Sequence, residues 1–255
     1  MEAGGRNPHV GAGDEAVSAP WWEGPLLAFD TETTGPEPTE ARLVSAAVDL
    51  FGLGDTEPTE SLRLIVNPGV PIPEGASAVH GITDDIAQRD GIDPKVAVSK
   101  VMHALYDAFS RRIPVVAYNA AYDFTVIARE AQRHLGATFK ISGPVIDPFV
   151  LDKAVDRYRR GQRTLTVTAE HYGIDLTNAH DATADAYAAV MVCRAVGQQY
   201  ARTLPTYLGD LWRYQRQQRR EQAASLQAHY ARTGKTNDDG SPITVDPSWP
   251  IREDQ

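Results

Sequence analysis

Leu27-Ala28-Phe29-Asp30, followed by Thr31-Glu32-Thr33-Thr34-Gly35, constrains this chain more than any other stretch. Leu26 to Phe29 read as a short buried strand, and a strand's side chains alternate between its two faces. Asp30 and Glu32 therefore point to the same side at the strand's end. Two carboxylates held together away from water repel, and they are costly unless a cation neutralises them. An isolated Asp-x-Glu is usually a solvated strand end running into a turn. Here the pair ends an apolar run, which favours a divalent metal site provided that other carboxylates arrive from elsewhere.

Two further segments supply them. Asn119-Ala120-Ala121-Tyr122-Asp123 follows a second apolar run, Ile113 to Tyr118, and leads into a helical stripe of Phe124, Ile127, Ala128, Ala131 and Leu135 closed by Gly136. Asp123 falls in the first turn of that helix, where a carboxylate also suits the helix dipole. His180-Asp181-Ala182-Thr183-Ala184-Asp185 opens a long helix, and Asp185 lies on its apolar stripe with Ala188, Ala189 and Val192. A charge placed against the core is costly unless it is paired or ligates a metal. Asp181 reads as the N-cap, leaving His180 just outside the helix and able to swing towards Asp185.

FDTETTG, NAAYD and HDATAD, in this order, resemble the three motifs of the DEDDh family, the DnaQ-like 3′→5′ exonucleases, which includes the proofreading subunit of bacterial replicative DNA polymerase. The resemblance runs from about Leu26 to Val196. It implies an α/β, ribonuclease H-like fold, a mixed five-stranded sheet flanked by helices. It also implies two bound Mg²⁺ or Mn²⁺ ions and single-stranded nucleic acid 3′ ends as substrate. Asp30 would bridge the ions, with Glu32 and Asp185 completing one and Asp123 supporting the other. His180 would be the general base, a task suited to a group that titrates near neutrality. Thr33 and His80 would contact substrate. The family also places a basic loop beside the substrate strand, which points to Arg157, Arg159, Arg160 and Arg163 with Tyr158 among them. DNA is favoured over RNA. The competing readings are an RNA exonuclease, a phosphodiesterase of small nucleotides, and a catalytically silent nucleic-acid or polymerase-binding module on the same fold.

Oxygen-only ligands suit hard ions such as Mg²⁺ or Mn²⁺, and the single cysteine, Cys193, excludes a disulfide framework and a Cys-rich zinc site. The net charge of −9 argues against a broad nonspecific nucleic-acid binder but not against an enzyme gripping one strand end. No stretch is apolar for long enough to span a bilayer, and the start of the chain lacks an apolar signal core, so a cytoplasmic protein is expected. Residues 1–20 read as a disordered leader and 21–203 as the exonuclease domain. Residues 204–255 read as a C-terminal helix, over Thr206–Tyr230, and an extended tail, offering a surface for a polymerase or repair partner. Strands are expected over Leu26–Asp30, Arg42–Phe51, Ser61–Asn67, Ile113–Tyr118 and near Val145–Asp147. The Pro-rich stretch Pro68–Ala78 reads as an extended loop, and Trp21 and Trp22 as a cover over the core's edge.

Overall fold

The apolar runs pair as five strands in a computed structural model that describes residues 19–175, 182–237 and 239–253. His180, Asp181 and nearly all of the expected leader lie outside the described residues. β1 (Leu26–Thr33), β2 (Leu43–Phe51) and β3 (Pro58–Ile65) form an antiparallel meander. β4 (Val115–Val116) and β5 (Val145–Ile146) then add parallel to β1, giving the order β3-β2-β1-β4-β5. This is the mixed five-stranded sheet that the sequence leads one to expect. Eight helices are described: α1 (Glu74–His80), α2 (Asp84–Asp90), α3 (Pro94–Ser110), α4 (Ala121–Leu135), α5 (Pro148–Val155), α6 (Leu165–His171), α7 (Ala182–Gln199) and α8 (Leu208–Thr233).

Alternation along β1 divides the core in two. Leu27 and Phe29 pack with residues of α3 and α4, including Leu105 and Phe124, on one face. Leu26 and Ala28 pack with residues of α7, including Val192 and Val196, on the other. Phe29 meets Phe124 edge-to-face at 5.4 Å, a contact that fixes α4 against β1. Continuing the same alternation sends Asp30 and Glu32 towards α7 and Thr31 towards α4.

Two local expectations change. Pro68–Ala78 is not extended throughout: α1 begins directly after Pro73 and ends at Gly81, whose φ of 75° closes it in the left-handed conformation. α1 buries no residue, so it has no apolar stripe to announce it. The basic loop turns half inward. Arg159 and Arg163 both bond the fully buried Asp152, through Oδ2 at 2.7 and 2.6 Å, because an isolated carboxylate at that depth requires partners. Arg157, Tyr158 and Arg160 remain exposed. Trp21 and Trp22 are buried, edge-to-face at 5.1 Å, over Gly197 of α7, where a Cβ would come within 2.6 Å of Trp22. The Trp21 indole also donates to the Pro205 carbonyl at 2.9 Å.

The C-terminal segment closes the β5 edge of the sheet. Gln215 of α8, fully buried, donates from Nε2 to the Val145 carbonyl at 3.0 Å and accepts at Oε1 from the Asp147 N–H at 2.7 Å. One side-chain amide thus takes the two positions that a neighbouring strand would fill. Leu211 and Ala223 are buried beside it, and Gln222 donates to the Val150 carbonyl of α5 at 3.0 Å. The chain then returns: Trp249 is buried against Trp212 at 4.9 Å, and the Arg252 N–H donates to the Thr125 hydroxyl of α4 at 2.8 Å. Gln215→Leu should strand both edge groups in a buried setting and cost about 2–6 kcal/mol, from roughly 1–3 kcal/mol per unsatisfied group. Urea denaturation with an unchanged m-value checks this, and a loss below 1 kcal/mol would show that the edge is satisfied in another way.

Candidate active site

Asp30, Glu32 and Asp185 each present a carboxylate oxygen within 4.8 Å of the others. The first two come from one face of β1, and the third from the first turn of α7, which crosses that face. Asp123 reaches the same strand from the opposite face. The Thr31 backbone N–H and hydroxyl both donate to its Oδ1, at 3.0 and 2.7 Å. Thr31 stands between Asp30 and Glu32, so this hook draws Asp123 up to the acidic strand end. All four sequence-identified carboxylates therefore meet at the end of β1.

A fifth carboxylate, Asp147, aims the helix that carries Asp123. Asn119 adopts a left-handed conformation (φ 65°) in the turn after β4, which Asn tolerates better than most residues. The N–H groups of Asn119 and Ala120 donate to Asp147 Oδ1 and Oδ2, both at 3.0 Å. Asp147 also caps α5, accepting from Phe149 and Val150. Its last donor is the Trp249 indole, at 3.1 Å to Oδ2. Asp147 is thus a buried anchor and not part of the acidic cluster. Its strand-end position is visible in the sequence. The partners Gln215 and Trp249 carry no local signal.

Burial sets the electrostatics. It raises the Asp30 carboxyl well above its ordinary range, helped by Asp123, Glu32 and Asp185. Glu32 is raised to about 7, by burial first and Asp185 second. Asp123 is also raised to about 7 by burial, against the opposing hydrogen bonds from Thr31. A group of carboxylates that resists ionisation near neutrality is a group lacking positive charge, and hard divalent cations match its all-oxygen donors. The residues present fit such ions.

The rim is built by the turn after β1. The Thr33 hydroxyl is 2.9 Å from the Gly35 carbonyl and also meets the Tyr122 hydroxyl, which itself donates to Gly35 at 2.5 Å. Thr33 therefore fixes the turn beside the cluster, and Tyr122, the residue preceding Asp123, ties that turn to α4. His80 lies at the end of α1 next to the Thr33 backbone; burial lowers its pKa, and the Thr33 backbone partly offsets this. Its Nδ1 accepts from the Ile82 N–H at 3.2 Å, so the neutral ring carries its proton on Nε2. His180, lying outside the described residues, has no described geometry.

The exonuclease family model of the RNase T type matches residues 27–193, a span that contains every carboxylate of the cluster. The chain belongs to this family of exonucleases. Among curated proteins it is 32% identical over 152 residues to a DNA polymerase III subunit epsilon-like protein of Rhodobacter capsulatus, covering 57% of this chain and 20% of that protein. It is 26% identical over 168 residues to the PolC-type DNA polymerase III of Clostridium perfringens, covering 66% of this chain and 11% of that protein. The chain thus spans a fifth or less of the length of these relatives. Among solved structures, Escherichia coli exonuclease I in complex with a dT13 oligonucleotide superposes with a TM-score of 0.57 at 20% identity, covering 70% of this chain and 42% of that one. The sheet and its helices therefore have the ribonuclease H-like arrangement that the motifs imply.

The raised carboxyls predict how stability responds to pH without metal. Between their ordinary values of 3.8 and 4.5 and the raised values near 7, the folded protein holds protons that the unfolded chain has released. Stability must then fall as pH rises through that window. Thermal melts in EDTA should show the melting temperature declining from pH 5 to pH 8. Asp30→Asn should flatten that decline, and Mg²⁺ should raise the wild-type melting temperature more at pH 8 than at pH 5. A melting temperature that climbs from pH 5 to pH 8 in EDTA would refute the assignment of raised carboxyls.

Proposed function

We propose that residues 21–203 form a metal-dependent 3′→5′ exonuclease domain that hydrolyses single-stranded nucleic acid from its 3′ end, with DNA preferred. The observation that carries this reading is the meeting of Asp30, Glu32 and Asp185 within 4.8 Å, with Asp123 hooked to the same strand. Asp30, Glu32, Asp123 and Asp185 would hold two Mg²⁺ or Mn²⁺ ions. Such ions, when bound, act as Lewis acids that stabilise charge developing on the phosphate oxygens. His180 is assigned the task of taking the proton from the attacking water. Thr33 and His80 are assigned to the terminal nucleotide, an assignment supported by the packing of the Thr33 turn beside the cluster. The polymerase relatives support DNA over RNA. We read the compartment as the cytoplasm; among the described residues no helix is long and apolar enough to cross a membrane. A polymerase or repair partner engaging the C-terminal segment would meet the outward face of α8. The catalytically silent alternative is disfavoured because every carboxylate of the set is in place.

Digestion of 5′-labelled and 3′-labelled single-stranded DNA and RNA, with and without Mg²⁺ or Mn²⁺, tests the proposal. The 5′ label should yield a descending ladder and the 3′ label an immediate mononucleotide, only with metal and faster on DNA. Asp30→Ala should lower the rate by orders of magnitude. His180→Ala should lower kcat by about 10²–10⁴ with little change in metal affinity by calorimetry. Near-normal hydrolysis by Asp30→Ala would refute the metal-site assignment, and collapse of metal affinity in His180→Ala would make His180 a ligand instead.

A further inference from the structure

The helix that carries Asp123 begins without a side-chain cap of its own. Its N-cap residue is Ala120, and the Asn119 and Ala120 N–H groups go instead to Asp147, which directly follows β5. The start of α4 is therefore only as well fixed as that carboxylate. Asp147 Oδ2 has two donors, the Ala120 N–H at 3.0 Å and the Trp249 indole at 3.1 Å. Burial raises the Asp147 pKa, and the Trp249 hydrogen bond is the largest influence opposing the rise. Trp249 itself lies in the core face that contains Phe124 of α4, with its ring against Trp212. The indole is thus a fixed donor, and Asp147 is held to it.

Three residues further on, the same segment reaches α4 directly. The Arg252 N–H donates to the Thr125 hydroxyl at 2.8 Å, and that hydroxyl donates to the Ala121 carbonyl at 2.6 Å. Ala121 and Thr125 flank Asp123 at the start of the helix. The Arg252 guanidinium meets Glu37 at 3.2 Å, in the loop that continues the Thr33–Gly35 turn. A bonded path therefore runs from Trp249 through Asp147 and the Asn119 turn to Asp123, and from there through Thr31 into β1. The other three carboxylates are placed differently. Asp30 and Glu32 are carried by β1 and Asp185 by α7, and α7 packs through Val192 and Val196 on the sheet face opposite to Trp249.

We propose that Trp249 and Arg252 are positioning residues for Asp123: the returning segment sets the ion position that Asp123 supports, while β1 and α7 set the one built by Asp30, Glu32 and Asp185. A partner that orients a ligand governs metal binding without touching metal or substrate. Here the orientation is passed on through the backbone, because Asp147 holds the two N–H groups that open α4 and Asp123 lies in the first turn. Both residues lie beyond the residues 27–193 that match the family, so a site inside the matched span is aimed from outside it. The ion positions rest on the exonuclease reading above. The placement of Asp123 does not.

Thr31 reports on Asp123 without metal, because its N–H donates to that carboxylate. Amide exchange in full-length protein labelled at threonine, calorimetry with Mn²⁺ and hydrolysis of dT20 form the test. Trp249→Phe keeps a ring beside Trp212 but deletes the donor. Thr125→Val deletes the acceptor of the Arg252 N–H, and Thr125→Ser keeps it. Trp212→Leu loosens the same packing with the Asp147 bonds intact. Trp249→Phe and Thr125→Val should each speed Thr31 exchange about tenfold and weaken one Mn²⁺ position about tenfold, with the other within about twofold. They should lower kcat about tenfold at an unchanged KM. Thr125→Ser should behave as the unaltered protein, and Trp212→Leu should lower the melting temperature alone. Unchanged Thr31 exchange in Trp249→Phe overturns the proposal. Equal weakening of both Mn²⁺ positions, or the whole pattern in Trp212→Leu, also overturns it, by making the segment a general brace. Faster Thr31 exchange in Trp249→Phe, when the unaltered protein takes up no Mn²⁺ and leaves dT20 intact, would uphold the aiming of Asp123 and defeat the exonuclease reading.

Discussion

Carboxylates that repel one another must be held together before any cation arrives, and the rest of this architecture serves that constraint. Asp30 and Glu32 are placed by the central strand of the sheet, where the buried Leu26, Ala28 and Phe29 leave no freedom to turn outward. Asp185 is brought by α7, whose Val192, Cys193 and Val196 are fully buried against the same face. Asp123 is held by two hydrogen bonds from Thr31, a residue placed by alternation to face away from its acidic neighbours. Hydrophobic packing thus supplies the free energy that opposes the repulsion, while neutral donors settle which way each carboxylate points.

Asp147 extends the same logic one layer outward. It is buried yet carries no opposing charge of its own, and burial raises it to about 6 against the pull of its Trp249, Asn119, Val150 and Ala120 donors. Its bonds join the start of α5 and the returning C-terminal segment to the turn ahead of α4. The N-terminal tryptophans do similar work on the opposite face, where Trp21 and Trp22 lie over Gly197 of α7 and reach Pro205. The motif-bearing helices are therefore clasped from both ends of the described chain. The Arg252 guanidinium adds a contact with Glu37, at 3.2 Å, in the loop after β1.

Much of this is written locally. The period of two in β1 places Asp30 and Glu32 on one face, and the period of 3.6 after Asp185 places that carboxylate against the core. The first-turn position of Asp123 follows from the apolar run that precedes it. These signals need only a few neighbouring residues. What the sequence conceals is contact across long separations: Gln215 meets Asp147 from 68 positions away and Trp249 meets it from 102, and nothing around either residue marks it. The basic loop shows the same blindness. Arg157, Arg159, Arg160 and Arg163 look alike in sequence, and only the depth of Asp152 decides which two turn inward. α1 has no signal in the sequence because a helix with no buried residue has no apolar periodicity, and Pro73 reads equally well as an extended residue or as the one before a helix.

The return of the tail has a consequence for how the protein is made. Asp30, Asp123, Asp147 and Asp185 have all been synthesised while some sixty residues are still to come, counting from Asp185 to Trp249. A growing chain can already pair β1 to β5 and seat α7. The Asp147 carboxylate, however, waits for its indole donor, and the β5 edge waits for Gln215. Between those moments the nascent protein exposes a strand edge and an acid still short of one of its five donors, the kind of surface that chaperones shield. Completion of the acidic centre is thereby tied to residues synthesised well after its own motifs, so a chain grown only past Asp185 has its motifs but not yet the clasp that aligns them.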